Sequence, residues 1–132
     1  MKIAIIKYNA GNLFSVDCAL KRLGVEPVIT NDKETLLSAD KVIFPGVGEA
    51  RTTMDYLKAC HMDLLIKELK QPVLGICLGM QLLCRHSEEG DADCLGSSMR
   101  KSSDSSRPVL KRKFLTWDGI HCHISAARSF KV

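Results

Sequence analysis

The sequence predicts an α/β fold, an open and doubly wound parallel sheet covered by helices. Three observations predict it. Short continuous aliphatic runs alternate with segments whose apolar residues recur at helical spacing. Hydrophobic residues make up 45% of the 132 but aromatics only 5%. The core is therefore mostly aliphatic, as suits a Val/Ile/Leu-rich parallel sheet. Finally, two of the aliphatic runs end in glycine-containing turns, at the strand ends where such sheets bind ligands.

Each element has its own signal. Ile3 to Ile6 is an unbroken apolar run, the pattern of a buried strand, and residues 9–12 (Asn-Ala-Gly-Asn) form a loop. Leu13, Val16, Ala19, Leu20 and Leu23 then recur at helical spacing, and Gly24 closes the helix. Pro27 to Thr30 predicts a short second strand, and Leu36 and Leu37 a short helix or turn after Asp32. Lys41 to Phe44 predicts a third strand, ended by Pro45, Gly46, Val47 and Gly48. Met54, Leu57, Leu64, Leu65 and Leu69 mark one or two helices, with a break expected near His61. Pro72 opens a fourth strand, Val73 to Ile76, and Gly79 to His86 predicts a helix. Alternating elements of this kind make right-handed βαβ units.

Charge divides the chain. Residues 1–96 carry 11 Lys/Arg against 13 Asp/Glu, and residues 97–132 carry 8 against 2. The six cysteines, at 18, 60, 77, 84, 94 and 122, form no CxxC pair, and the first residues read as a strand, not as a signal peptide. A reducing cytoplasm with free thiols is expected. No apolar run approaches the roughly 20 residues that span a bilayer, so no membrane is expected.

The chemistry centres on Cys77. The run Gly75-Ile76-Cys77-Leu78-Gly79 lies between a strand and a helix and has the G-x-C-x-G form of a nucleophile elbow. The nucleophile of an elbow sits on a strained turn, which needs neighbours without bulk. The following helix points its N-terminus at the sulfur and favours the reactive thiolate. A lone cysteine in an apolar stretch is more often core than catalyst, and Cys18, Cys60 and Cys84 fit that plainer reading. Cys77 does not, because glycines flank it at both required positions. Gly46, Val47 and Gly48 form glycine-containing backbone after a strand, which can present N–H groups to an oxyanion. Taken alone, such a stretch is more simply a turn.

Together these residues carry a resemblance. Residues 44–48 (Phe-Pro-Gly-Val-Gly) and 75–81 (Gly-Ile-Cys-Leu-Gly-Met-Gln) resemble two signatures of the class I (triad) glutamine amidotransferases. The opening Tyr8-Asn9-Ala10-Gly11-Asn12, followed by Ser15-Val16, is similar to the start of the glutaminase subunits of imidazole glycerol phosphate synthase. The resemblance implies a flavodoxin-like doubly wound sheet with its C-terminal part missing. It also implies that Cys77 attacks the side-chain amide of L-glutamine through a thioester. Gly46, Val47 and Gly48, with the Leu78 N–H, would hold the oxyanion, and Gln81 would lie near the bound glutamine. Ammonia would pass to a cyclase (synthase barrel) subunit in a heterodimer, with Gly11 and Asn12 facing that partner. No cofactor, no metal and no nucleic acid are implied.

One part of the pattern is absent. The family completes its triad with a His and a Glu in an H-P-E motif, and this sequence contains no such motif; His121 and His123 do not match it. The chain as written is therefore expected to be inactive. Resemblance stops near Gly96. The tail, residues 97–132, has eight serines and no clear period. A disordered basic appendage is the plain reading.

The genetic code suggests another. Residues 113–120, Lys-Phe-Leu-Thr-Trp-Asp-Gly-Ile, can be spelled AAG TTC CTC ACA TGG GAT GGA ATA. Read one base out of step, that spelling gives Val-Pro-His-Met-Gly-Trp-Asn, which resembles a signature of the same subfamily. The expected division is residues 1–96 as the amino-terminal portion of an amidotransferase domain and 97–132 as an out-of-frame tail. Trp117 and Cys122 then have no designed role, and the three possible ligands His121, Cys122 and His123 are too few for a metal site. Other readings are another class I amidotransferase, a cysteine-elbow protein of the chaperone or redox type, or a binding module using the basic tail. An acidic residue near the cysteine would favour the second, and none is obvious. Strong salt dependence of nucleic-acid binding would favour the third.

Overall fold

The computed structural model describes residues 1–9 and 12–96 of the chain. Strands and helices alternate in the order β1 (Ile3–Ile6), α1 (Leu13–Arg22), β2 (Val28–Thr30), α2 (Lys33–Leu37), β3 (Lys41–Gly46), α3 (Ala50–Ala59), α4 (Met62–Glu68), β4 (Val73–Cys77) and α5 (Leu78–Leu83). A small antiparallel hairpin follows, β5 (His86–Ser87) with β6 (Ala92–Asp93). The first four strands form one parallel sheet in the order β2-β1-β3-β4. This order matches the start of the flavodoxin-like winding, in which the switch point lies between β1 and β3.

The period of two along each strand builds a core on both faces. On β1, Ile3 and Ile5 face one way and pack with Ile43 and Leu20, flanked by Leu13 and Val16 of α1. Ala4 and Ile6 face the other way and join Val42, Phe44, Leu57, Ile66 and Leu82 in the larger cluster. Helix α1 covers the first face, and α3, α4 and α5 cover the second.

Local chemistry fixes the helix ends. The Asn12 side chain caps α1 by accepting from the Ser15 N–H at 3.2 Å, and Asp32 caps α2 by accepting from the Thr35 N–H at 2.8 Å. Gly24 follows α1 at φ 76°, a left-handed conformation that glycine adopts freely. The expected break near His61 is real: His61 has φ 56° and divides α3 from α4.

Three expectations differ from the structure. Strands β3 and β4 run further than the aliphatic runs, through Gly46 and Cys77, because the ladder continues to Gly46↔Cys77. Helix α5 ends at Leu83, short of His86, since the chain turns back into the hairpin. That turn is closed by the Leu95 N–H on the Leu82 carbonyl at 2.8 Å and the Gly96 N–H on the Cys84 carbonyl at 2.7 Å. Of the cysteines read as core, Cys60 is exposed, and Cys18 and Cys84 are half-buried. Cys60 is the C-cap of α3, at the joint before α4. Among the described residues, no helix is long and apolar enough to cross a membrane.

Candidate active site

The sheet ends β1, β3 and β4 converge on one place. Cys77 is the last residue of β4 and stands immediately before α5, with φ 52° and ψ −122°. A positive φ is uncommon for a residue with a Cβ and stores strain of about 1–3 kcal/mol at functional sites. The side chain is exposed. This is the conformation that the glycine spacing predicts.

The flanking glycines are required by close approach. A Cβ on Gly75 would lie 2.5 Å from the Met80 Cα and 2.7 Å from the Met80 N. A Cβ on Gly79 would collide with the Phe44 carbonyl oxygen. A Cβ on Gly46 would stand 2.6 Å from the Gly79 N and 2.7 Å from the Tyr8 hydroxyl. Thus β3, the elbow and the first turn of α5 touch backbone to backbone, and no larger residue fits between them.

The loop after β3 lies beside the elbow. Gly46 is the ladder partner of Cys77, Val47 is exposed, and Gly48 has φ 102°. Leu78, the first residue of α5, is buried. Gln81 stands one helical turn after Cys77. Its amide nitrogen donates to the Ser87 hydroxyl at 2.5 Å and to a Glu89 carboxylate oxygen at 2.9 Å. Ser87 is buried, whereas Glu89 is exposed.

Of the residues singled out in the sequence, the structure brings together Gly46, Val47, Gly48, Cys77, Leu78 and Gln81. Asn12 lies apart from this group in sequence and caps α1, while Gly11 lies outside the described residues, as do His121, Cys122, His123 and Trp117.

The parts that two residues play at the site were not read from the sequence, although Tyr8 opens the motif of residues 8–12. Glu89 reaches Gln81 because the chain turns back after α5. The signal for that return is weak: the short acidic run Ser87-Glu88-Glu89-Gly90. Tyr8, just after β1, is buried and donates its hydroxyl to the Pro45 carbonyl at 2.7 Å. Its ring packs on Phe44 with centroids 5.4 Å apart. Burial pushes its pKa up to about 12, so the hydroxyl stays a donor at neutral pH.

Comparison with known proteins gives the family. Residues 5–123 match the family described as glutamine amidotransferase class-I. A protein of Bacteroides thetaiotaomicron named imidazole glycerol phosphate synthase subunit HisH is 76% identical over 95 residues, which cover 72% of this chain and 48% of that protein. Its namesake in Bacteroides fragilis is 76% identical over 96 residues, covering 73% and 49%. That of Idiomarina loihiensis is 46% identical over 112 residues, covering 83% and 57%. The chain spans about half the length of these Bacteroides relatives. A cysteine elbow at the end of a parallel strand, the glycine loop beside it and the match over residues 5–123 agree: the chain belongs to the class I glutamine amidotransferases.

Proposed function

We propose that this chain carries the nucleophile portion of the glutamine-hydrolysing subunit of an imidazole glycerol phosphate synthase, acting in histidine biosynthesis. The observation that supports this most is Cys77, exposed at φ 52° between β4 and α5 beside the Gly46–Gly48 loop. The relatives' names and their identity of 76% support the choice of synthase.

In the proposed reaction the Cys77 thiolate attacks the carboxamide carbon of L-glutamine. The carbonyl electrons move to oxygen, and N–H groups of the Gly46, Val47 and Gly48 backbone and of Leu78 stabilise the oxyanion. Collapse breaks the C–N bond. The amide nitrogen takes a proton and leaves as ammonia, and a thioester remains on Cys77. Water then attacks the thioester, releasing glutamate and restoring the thiol. Gln81 lies near the substrate. Glu89, held by Gln81, offers a carboxylate to the α-ammonium group. Ammonia would pass to a cyclase subunit, with the loop at Gly11 and Asn12 facing it in a heterodimer. A cytoplasmic location fits such a biosynthetic role.

A triad enzyme needs a base, and the sequence holds no H-P-E motif. Residues 1–96 are proposed as the amidotransferase portion and 97–132 as an out-of-frame tail. Labelling tests the nucleophile separately from turnover. A glutamine-shaped chloroketone should modify Cys77 before Cys18, Cys60 or Cys84 in the folded protein, as peptide mapping by mass spectrometry would read. Equal labelling of the four would overturn the assignment.

A further inference from the structure

Tyr8 stands just after β1, and its contacts suggest a task. The β1–β3 ladder runs from Ile3↔Lys41 to Ile5↔Ile43 and stops short of Pro45. Proline has no N–H, so it cannot continue the ladder as a donor. Its carbonyl is taken instead by the buried hydroxyl of Tyr8, at 2.7 Å. Tyr8 thus ties the segment after β1 to the end of β3, just before the Gly46–Gly48 loop.

A trans peptide carries its C=O and N–H on opposite sides, and no peptide among the described residues is cis. With the Pro45 carbonyl held toward Tyr8, the Gly46 N–H is held toward β4. Rotation of this plane would break the Tyr8 bond and leave a buried carbonyl without its donor. There is little slack around Gly46, since a Cβ there would stand 2.6 Å from the Gly79 N and 2.7 Å from the Tyr8 hydroxyl.

Resting on the proposed glutaminase chemistry, we infer that Tyr8 is a positioning residue: its hydroxyl fixes the Pro45–Gly46 peptide, and so sets where the following Val47 and Gly48 N–H groups stand relative to the Cys77 sulfur. Tyr8 does not touch the reacting atoms. It acts through the loop.

Two electrophiles separate this role from a merely structural one. The sulfur attacks the carbonyl of a glutamine-shaped chloroketone and forms an oxyanion; the sulfur then passes to the methylene carbon, chloride leaves and the carbonyl re-forms. Iodoacetamide alkylates the same sulfur by direct displacement, with no oxyanion. The ratio of the two rates at Cys77, measured on the full chain, reports the loop. Tyr8→Phe keeps the ring against Phe44 and removes only the donor. It should lower the chloroketone rate by about tenfold, less than the loss of a direct oxyanion donor, while the iodoacetamide rate stays within about twofold.

A ratio unchanged from the unsubstituted protein, or both rates falling together, would overturn the role of Tyr8. If Tyr8→Phe fails to fold, 3-fluorotyrosine can replace tyrosine in a Tyr56→Phe background, where Tyr8 is the one tyrosine left. A changed acidity of the hydroxyl should then move the ratio at least about twofold, and no movement would count as refutation. The glutaminase reading fails in a different way. In that case the unsubstituted protein would show no chloroketone preference at Cys77 over Cys18 and Cys60.

Discussion

A methyl group on Gly79 has nowhere to go, since it would meet the backbone carbonyl of Phe44. Gly79→Ala should therefore destabilise the fold by about 1–3 kcal/mol, the usual range for overpacking against atoms that cannot move, as urea denaturation would measure. The same backbone approach explains why the elbow was legible in the sequence. The need for glycines at 75 and 79 arises within five residues, so it appears as a local motif. Tyr8 was not legible, because its partner Pro45 lies 37 residues away and is reached only once β1 and β3 pair. Its environment has a pH signature. The folded pKa of about 12 exceeds the ordinary 10.0, so the folded protein binds this proton more tightly than the unfolded chain does. The resulting stability is complete below pH 10 and is lost as pH rises through about 12. In an alkaline titration, the tyrosinate absorbance of Tyr8 should appear together with loss of the helical circular dichroism. Ionisation of Tyr8 in a chain that keeps its fold at pH 10 would contradict this.

Between elements, the joints matter more than the helix and strand interiors. His61 holds φ 56° at the joint of α3 and α4, and its side chain makes no capping bond there. The left-handed region costs a residue with a Cβ about 1–2 kcal/mol relative to glycine, so His61→Gly should stabilise the protein by up to about 1 kcal/mol after the added entropy of the unfolded chain. A higher midpoint in thermal unfolding would confirm it, and a lower one would show that the imidazole has a packing role. The Asn12 cap works in the opposite direction: Asn12→Ala should cost about 1 kcal/mol. The break at His61 could be anticipated, because the apolar period fails there. The hairpin of His86–Ser87 and Ala92–Asp93 could not, since each strand has two residues and no period can register in so few. Its return carries Glu89 to Gln81, so the missed element and the missed site residue have one cause.

At the scale of the molecule, the four parallel strands place a nucleophile and a glycine loop side by side, and the sequence holds no H-P-E motif to pair with them. Because triad members act as a unit, loss of one can cost on the order of 10⁴–10⁶ in rate. The chain as written should release no ammonia from glutamine above background, even with a cyclase subunit added. Cys77-dependent release would show that another residue serves as base. The sequence past Gly96 bears on the same question. The two Bacteroides relatives align over 95 and 96 residues at 76% identity, while the family match itself extends to residue 123. Residues 113–120 permit an out-of-step spelling of Val-Pro-His-Met-Gly-Trp-Asn, in which the glycine is forced, because TGG followed by GA must contain GGA. If the tail is a translation of the wrong frame, the gene should show a base gained or lost near codon 96. Its corrected translation should then run on to an H-P-E motif and supply the histidine and glutamate that the elbow lacks. The corrected chain should fall near 200 residues, still within the size of one domain. Reading the genomic DNA across this region decides it. An out-of-step translation that meets stop codons, or gives an unrelated string, would leave residues 97–132 as a true basic extension, and the base would have to be sought elsewhere.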